Sequence, residues 1–316
     1  MREGIVSERS FSVWKLLGWM CLPIPYFIYQ IVLRMREQKA RETLQGKVVL
    51  ITGASSGLGE SLAHVFYMAG CKVVLSARRK DELERVRKDL LECYSRTPTH
   101  PPVVVPLDLT DVNGLPEKVT GILNIFGKID ILVNNGGISV RSTALATTID
   151  VDIKVMLVNY FGSVALTKAI LPHMIKRQEG RIVFVSSVQG KFAIPQRSAY
   201  AASKHALQAF GDSLRAEVDD QGVRVTMISP GYINTALSVN ALTGSGASYG
   251  KMDATTAAGA NPDDMAGEIL KCILRDDKDV ILAPVTPRIA HLLRYFCPPL
   301  YFWIMARRAL KLAAEN

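Results

Sequence analysis

The sequence predicts an α/β fold: a single doubly wound parallel sheet, with an apolar segment ahead of it. Three observations predict this. Short β-branched runs alternate with helical stretches from Lys47 onward. A glycine-rich turn, TGASSGLG at Thr52–Gly59, stands directly between the first such run and the first helix. Residues Leu16–Leu33 form an eighteen-residue stretch with no charge, just long enough to cross a bilayer core.

The elements follow in order. Lys47–Ile51 (KVVLI) suits a strand buried on both faces, because such strands lack polar alternation. A helix over Gly57–Ala69 and a strand at Val73–Ser76 complete a βαβ unit. The pattern then predicts a helix at Asp81–Cys93, a strand at Val103–Leu107, a helix at Val112–Phe126 and a strand at Ile129–Val133. A long helix follows at Val151–Lys176, then a strand at Arg181–Val185 and a helix at Ser198–Asp219. Strands at Val223–Ile228 and Asp279–Leu282 close the series.

Five regions result: an N-terminal segment (1–15), a membrane anchor (16–33), a basic linker (34–46), the sheet domain (47–285) and an aromatic tail (286–316). Trp14 and Trp19 lie toward the start of the anchor and Tyr26 and Tyr29 toward its end, as interfacial aromatics do. Arg34 and Arg36 follow in place of a small-residue cleavage site, which favours an uncleaved single-pass anchor. Pro23, Pro25 and Gln30 favour the alternative, a monotopic or hairpin anchor. In the tail, Ile289–Met305 is apolar but broken by His291, Arg294, Pro298 and Pro299. It fits either the membrane interface or a packed tail.

The formal net charge is +9, and mean hydropathy is +0.16. No helix-turn-helix, zinc-finger or RNA-binding signature accompanies the basic groups, so no nucleic-acid partner is expected. The five cysteines are widely spaced, without C-x-x-C, and no histidine pair has metal-ligand spacing. The reading is a reduced chain with no metal site.

Glycines in the first strand–helix turn permit a tight bend, let a phosphate approach the backbone and present a helix N-terminus to its charge. At the end of the second strand, an NAD-binding protein carries an acid for the ribose hydroxyls. Here the stretch is Ser76-Ala77-Arg78-Arg79. Arg78 in that place, with no acid, points to the 2′-phosphate of NADP. A solvated basic turn is the alternative for Arg79 and Lys80.

Tyr200 and Lys204 stand four apart in YAASK, so both project from one helix face. Ser187 lies thirteen residues earlier, just past a predicted strand, where open α/β sheets place ligands. Together with TGASSGLG, the Asp108-Leu109 pair, NNGG at Asn134–Gly137, Asn159 and PGYINT at Pro230–Thr235, these motifs carry a family resemblance. From about Leu44 to Leu282 the chain resembles the short-chain dehydrogenase/reductase family, and in SARR, QGKFAIP and SYGKMDATTAAG its membrane-anchored members.

The resemblance implies a Rossmann-type catalytic domain and a site built from Ser187, Tyr200, Lys204 and Asn159. Tyr200 is then the acid/base, with Lys204 favouring its phenolate and binding the cofactor ribose. Ser187 orients the carbonyl, and Asn159 holds a water of the proton relay. Cofactor-binding positions are Gly53, Ser55, Ser56, Gly57, Leu58, Arg78, Asp108, Leu109, Asn135, Tyr200, Lys204, Pro230, Gly231, Ile233 and Thr235. The substrate pocket takes in Ser187, Gln189, Ile194, Tyr200 and Tyr232. One departure is Gly136, where the family's NNAG has alanine; a glycine there adds no clash.

The implied function is NADP(H)-dependent interconversion of a lipophilic carbonyl and its alcohol, such as a steroid, retinoid or lipid ketone. The rival reading is a non-catalytic NADPH-binding regulator or scaffold that kept the fold. Expected partners are a hydrophobic small molecule and, through the anchor, membrane lipid; the family's habit also allows a homodimer. The expected location is the endoplasmic reticulum membrane, with the peroxisomal or another intracellular membrane as the alternative.

Overall fold

The computed structural model describes residues 42–314 except 96 and 98. The predicted anchor at 16–33, the segment before it and most of the linker lie outside the described residues.

Seven strands form one parallel sheet: β1 (Val48–Thr52), β2 (Lys72–Ala77), β3 (Val103–Pro106), β4 (Ile131–Asn134), β5 (Gly180–Val185), β6 (Val223–Pro230) and β7 (Asp279–Leu282). Their spatial order is β3-β2-β1-β4-β5-β6-β7. The chain winds outward from β1 to one edge, returns to β4 and winds out to the other edge. The reversal between β1 and β4 opens a crevice at the strands' carboxyl ends.

Alternate residues of the strands build two cores. Val49 and Ile51 pack with α1 (Gly57–Met68) and α2 (Lys80–Cys93) on one face. Val48 and Leu50 face α3 (Leu115–Phe126) on the other. Both faces are covered, which explains why the strands read as continuous apolar runs. Asp130 ties this layer at its base: its carboxylate accepts the Val48 N–H at 2.8 Å and meets Lys128 at 3.1 Å.

The predicted long helix is α4 (Ile149–Met156) and α5 (Gly162–Arg177), joined by a π-helical turn at Leu157–Phe161. Ile149–Arg177 is apolar and long enough to span a membrane by composition. However, Leu166, Ile170 and Met174 pack on the sheet, as in a core helix. Next comes α6 (Ser198–Glu217), whose Leu207 and Leu214 join the same core.

Three differences from expectation have local causes. The third helix starts at Leu115 rather than Val112, because the Asp111 carboxylate accepts the Gly114 N–H at 3.0 Å and holds a turn before it. An additional helix, α7 (Pro262–Arg275), lies between the segment after β6 and β7. It is capped by the Asn261 side chain on Asp263 N–H at 2.8 Å, has proline at its start, and buries Met265, Ile269 and Ile273 beside α1. The tail is two helices, α8 (Val285–Phe296) and α9 (Pro298–Ala314).

The tail packs on the domain through one small cluster and leaves several aromatics open. Tyr301 is buried among Val188, Phe192 and Ile194, and its hydroxyl donates to the Ala193 carbonyl. Tyr295, Phe296, Phe302 and Trp303 are exposed. Ala290, Leu293 and Met305 pack partly buried against the same cluster, so the tail joins the domain through Tyr301 and these neighbours.

Candidate active site

The turn after β1 is shaped for close backbone approach. Gly53 has φ +68°, and a Cβ there would meet Gly136 Cα at 2.8 Å. At Gly59 a Cβ would lie 2.1 Å from the Gly53 carbonyl oxygen. Ser56 precedes α1 in extended conformation and gives its first turn no side-chain cap. The N–H groups of that turn are therefore available for an anion.

The loop after β4 is tied to this turn by Thr52. Its hydroxyl accepts the N–H groups of Asn135 at 3.0 Å and Gly136 at 2.9 Å. In return, the Asn135 side chain donates to the Thr52 carbonyl at 3.0 Å. Asn135 therefore acts first as a brace between two loops of the crevice.

The crevice is a cavity of about 530 Å³. Of the residues singled out by sequence, Gly53, Ser55, Ser56, Gly57, Leu58, Arg78, Asp108, Leu109, Asn135, Ser187, Gln189, Tyr200, Lys204, Pro230, Gly231, Tyr232, Ile233 and Thr235 all line it. The fold brings these together from the ends of six strands, β1 to β6. Two do not line it.

Asn159 sits in the π-helical turn, fully buried behind the cavity. Its side-chain oxygen Oδ1 accepts the Ile138 N–H at 2.8 Å. Its amide donates to the Ile138 carbonyl and to the Ser203 hydroxyl, both at 2.9 Å. The residue thus clamps the backbone of the β4 loop beside Lys204. Ile194 is the second: it packs with Tyr301 under the tail instead of facing the cavity. A buried apolar side chain looks the same in sequence whether it forms wall or floor.

Ser187 follows β5 and precedes a short 3-10 turn, Val188–Gly190. Its hydroxyl accepts the Gln189 N–H at 3.1 Å. Tyr200 and Lys204 come from the first turns of α6 and are buried. The Lys204 ammonium donates to the Val185 carbonyl at 2.9 Å and lies 5.8 Å from the Tyr200 ring centre.

Burial pushes the Lys204 ammonium down to about 8. Burial also raises the Tyr200 phenol, the largest influence on it; the Ser187 hydroxyl and the charges of Arg141 and Arg197 pull the other way. The groups that pull toward the phenolate are thus the Ser187 hydroxyl and the charges of Arg141 and Arg197. The cavity holds a proton on Tyr200 beside a lysine poised to change charge.

Sequence reasoning missed those arginines and one more cation. Arg141, Arg197 and Arg79 also line the cavity. Arg79 is exposed, and it also reaches back to the glycine turn, donating to the hydroxyls of Ser55 at 3.2 Å and Ser56 at 3.4 Å. Its position beside Arg78 was the available signal.

Away from the cavity, Glu60, His64 and Asp89 have ligand-type atoms within 4.8 Å of one another. Their mutual pairing and Arg85 account for them: His64 meets Asp89 at 3.1 Å and Arg85 meets Glu60 at 2.8 Å.

Residues 47–245 match the sequence model of the family described as short chain dehydrogenase. The chain belongs to that family. Among its relatives, an Anopheles gambiae protein named dehydrogenase/reductase SDR family protein 7-like is 67% identical over 311 residues, covering 97% of this chain and 98% of that one. Dehydrogenase/reductase SDR family member 7B of Rattus norvegicus is 45% identical, covering 98% and 96%. A metagenomic short-chain oxidoreductase solved in complex with NADP is 26% identical, with a TM-score of 0.63 over 77% of this chain and 98% of its own. As a short-chain dehydrogenase, the chain is a nucleotide-binding oxidoreductase.

Proposed function

We propose that this short-chain dehydrogenase is an NADPH-dependent reductase that interconverts a lipophilic carbonyl compound and its alcohol. One observation carries the reading. A single cavity runs from the glycine turn and Arg78–Arg79 at one end to Ser187, Tyr200 and Lys204 at the other.

The residues fit a dinucleotide. Side chains are absent at Gly53 and Gly59, where a Cβ would collide with backbone. The open helix N-terminus suits a pyrophosphate, and Arg78 and Arg79 suit a 2′-phosphate. When bound, NADPH supplies the hydride. Tyr200 passes a proton to the carbonyl oxygen, and the Ser187 hydroxyl orients that oxygen toward it. Lys204, charged below about pH 8, favours the developing phenolate and holds the ribose. Asn159 keeps the Ile138 backbone in place beside Lys204.

The test is turnover of NADPH with a panel of hydrophobic ketones and aldehydes. Tyr200→Phe is expected to lose at least ~100-fold in kcat while still binding NADPH. Wild-type protein that binds NADPH but reduces none of the panel would favour a regulatory role instead. We further propose that the eighteen uncharged residues at 16–33 tether the domain to an intracellular membrane, that of the endoplasmic reticulum first. Protease protection in sealed vesicles, with the tagged protein located by fractionation, tests this.

A further inference from the structure

Arg141 and Arg197 occupy the wall of the cavity close to Tyr200, and their side chains are only 8% and 9% exposed. Both point at one carboxylate oxygen. Arg141 Nε lies 2.6 Å and an Arg197 terminal nitrogen 3.0 Å from Oδ2 of Asp253, in the segment that covers the cavity after β6. Two buried cations on one anion leave a formal surplus of one positive charge. A third cation stands near: Arg308 of α9 lies 3.4 Å from the Tyr232 hydroxyl, on the cavity wall.

The two arginines differ in how fully they are used. Arg141 also donates to the Ser139 hydroxyl at 2.6 Å and the Val140 carbonyl at 3.1 Å. Arg197 has Asp253 as its side-chain acceptor, and its buried Nε has no acceptor among the described residues. Gln189 Oε1, also on the cavity wall, is buried and likewise without a partner. Burying a guanidinium costs several kcal/mol unless an anion and hydrogen bonds compensate it. Here compensation is incomplete. The surplus is also remote in role from the cofactor's phosphates, which have the glycine turn, Arg78 and Arg79.

We propose that Arg197, supported by Arg141, recognises an anionic group, a carboxylate or phosphate, carried by the substrate. The substrate class then narrows from a neutral lipophilic carbonyl to an amphiphilic one, with its charged group beside Arg197 and its carbonyl toward Tyr200. The assignment rests on the reading of this cavity as a reductase site. Asp253 remains the resident partner that holds the pair in place: burial alone would raise its carboxyl, but the hydrogen bond and charge of Arg141 hold it below its usual range.

Binding without turnover tests the assignment separately from catalysis. Full-length protein loaded with NADPH, so that the nucleotide phosphates already fill their own site, is titrated calorimetrically with hexyl phosphate, hexanol and inorganic phosphate. Hexyl phosphate is expected to bind at least ~10-fold tighter than either of the others, since it alone offers both an anion and an apolar chain. Arg197→Met should abolish that advantage while leaving the affinity for NADPH unchanged. Should Arg197→Met not fold, Arg197→Lys, which keeps the charge but not the fork, is expected to weaken hexyl phosphate ~10-fold and leave hexanol unchanged. Equal binding of hexyl phosphate and hexanol would overturn the proposal. So would an advantage that survives both substitutions, or inorganic phosphate binding as tightly as its alkyl ester, which would mark a free-anion site. An enzyme inactive on all carbonyls would defeat the reductase reading and leave this binding result standing.

Discussion

The Thr52 hydroxyl accepts the Gly136 backbone N–H at 2.9 Å, and this bond joins the two loops on either side of the β1–β4 reversal. The same oxygen accepts from Asn135 and donates to the Val133 carbonyl at 3.3 Å. A methyl group could fill the space but not replace the bonds. Thr52→Val should leave the Gly136 N–H without its acceptor, while the Asn135 N–H keeps the Val133 carbonyl at 3.0 Å, and should cost about 1–3 kcal/mol of stability. Urea denaturation would measure it, and NADPH affinity should fall in parallel as the turn loosens. Thr52→Ser should retain both. A fully stable Thr52→Val protein would show that the loops are held by other contacts.

Cofactor choice turns on Arg78 and Arg79. Both line the cavity, and the residues that end β2, Ser76 and Ala77, include no acid to meet a ribose diol. Arg78→Asp should raise the KM for NADPH by about 10- to 100-fold, the value of a lost charge-assisted bond plus new repulsion. The KM for NADH should change little or improve. Equal losses with both cofactors would remove Arg78 from the 2′-phosphate site. Arg79→Ala is expected to have the smaller effect of the two, since its bonds to Ser55 and Ser56 are long.

How much of this was written in the sequence depends on range. The strands were legible because burial on both faces demands uninterrupted apolar residues, as at Val48–Thr52. The glycine turn and the Tyr200–Lys204 pair were legible because spacing alone sets their geometry. The helix at Pro262–Arg275 has readable signals in Asn261, Pro262 and two following aspartates, but no strand stands immediately before it to set it in a β–α alternation. The π-helical turn that carries Asn159 leaves no comparable sequence mark. Arg141, Arg197 and Asp253 are far apart in sequence, and only the completed fold puts one carboxylate oxygen between two guanidinium groups.

Lys204 sets an expected pH limit. Burial lowers its ammonium to about 8, so above that pH the buried group loses its charge. Tyr200 is raised and keeps its proton through the same range. If the reaction needs the cation, kcat/KM for carbonyl reduction should be level below about pH 8 and fall tenfold per pH unit above it. Lys204→Met should be slow throughout and lack this limb. A wild-type profile flat to pH 10 would mean that bound cofactor restores the lysine's ordinary basicity.

The tail offers a test of how one buried residue can hold a large element. Tyr301 is 3% exposed and lies edge-on to Phe192, their ring centres 6.4 Å apart, with its hydroxyl on the Ala193 carbonyl. No residue of α8 is fully buried, and its Ala290 and Leu293 pack only partly buried against the same cluster, so Tyr301 is the most deeply held residue of the tail. Tyr301→Ala should remove about 3–5 kcal/mol from the docking of the tail rather than from the sheet. Hydrogen exchange is expected to rise across residues 285–314 and around Phe192 and Ile194, while β1 and β4 stay protected. Tyr301→Phe, which loses only the hydroxyl, should undock far less. The KM for the carbonyl substrate should rise in Tyr301→Ala with NADPH binding unchanged, because Arg308 reaches the cavity through Tyr232. If exchange rises equally in the sheet, Tyr301 belongs to the global core and the tail is not a separable unit.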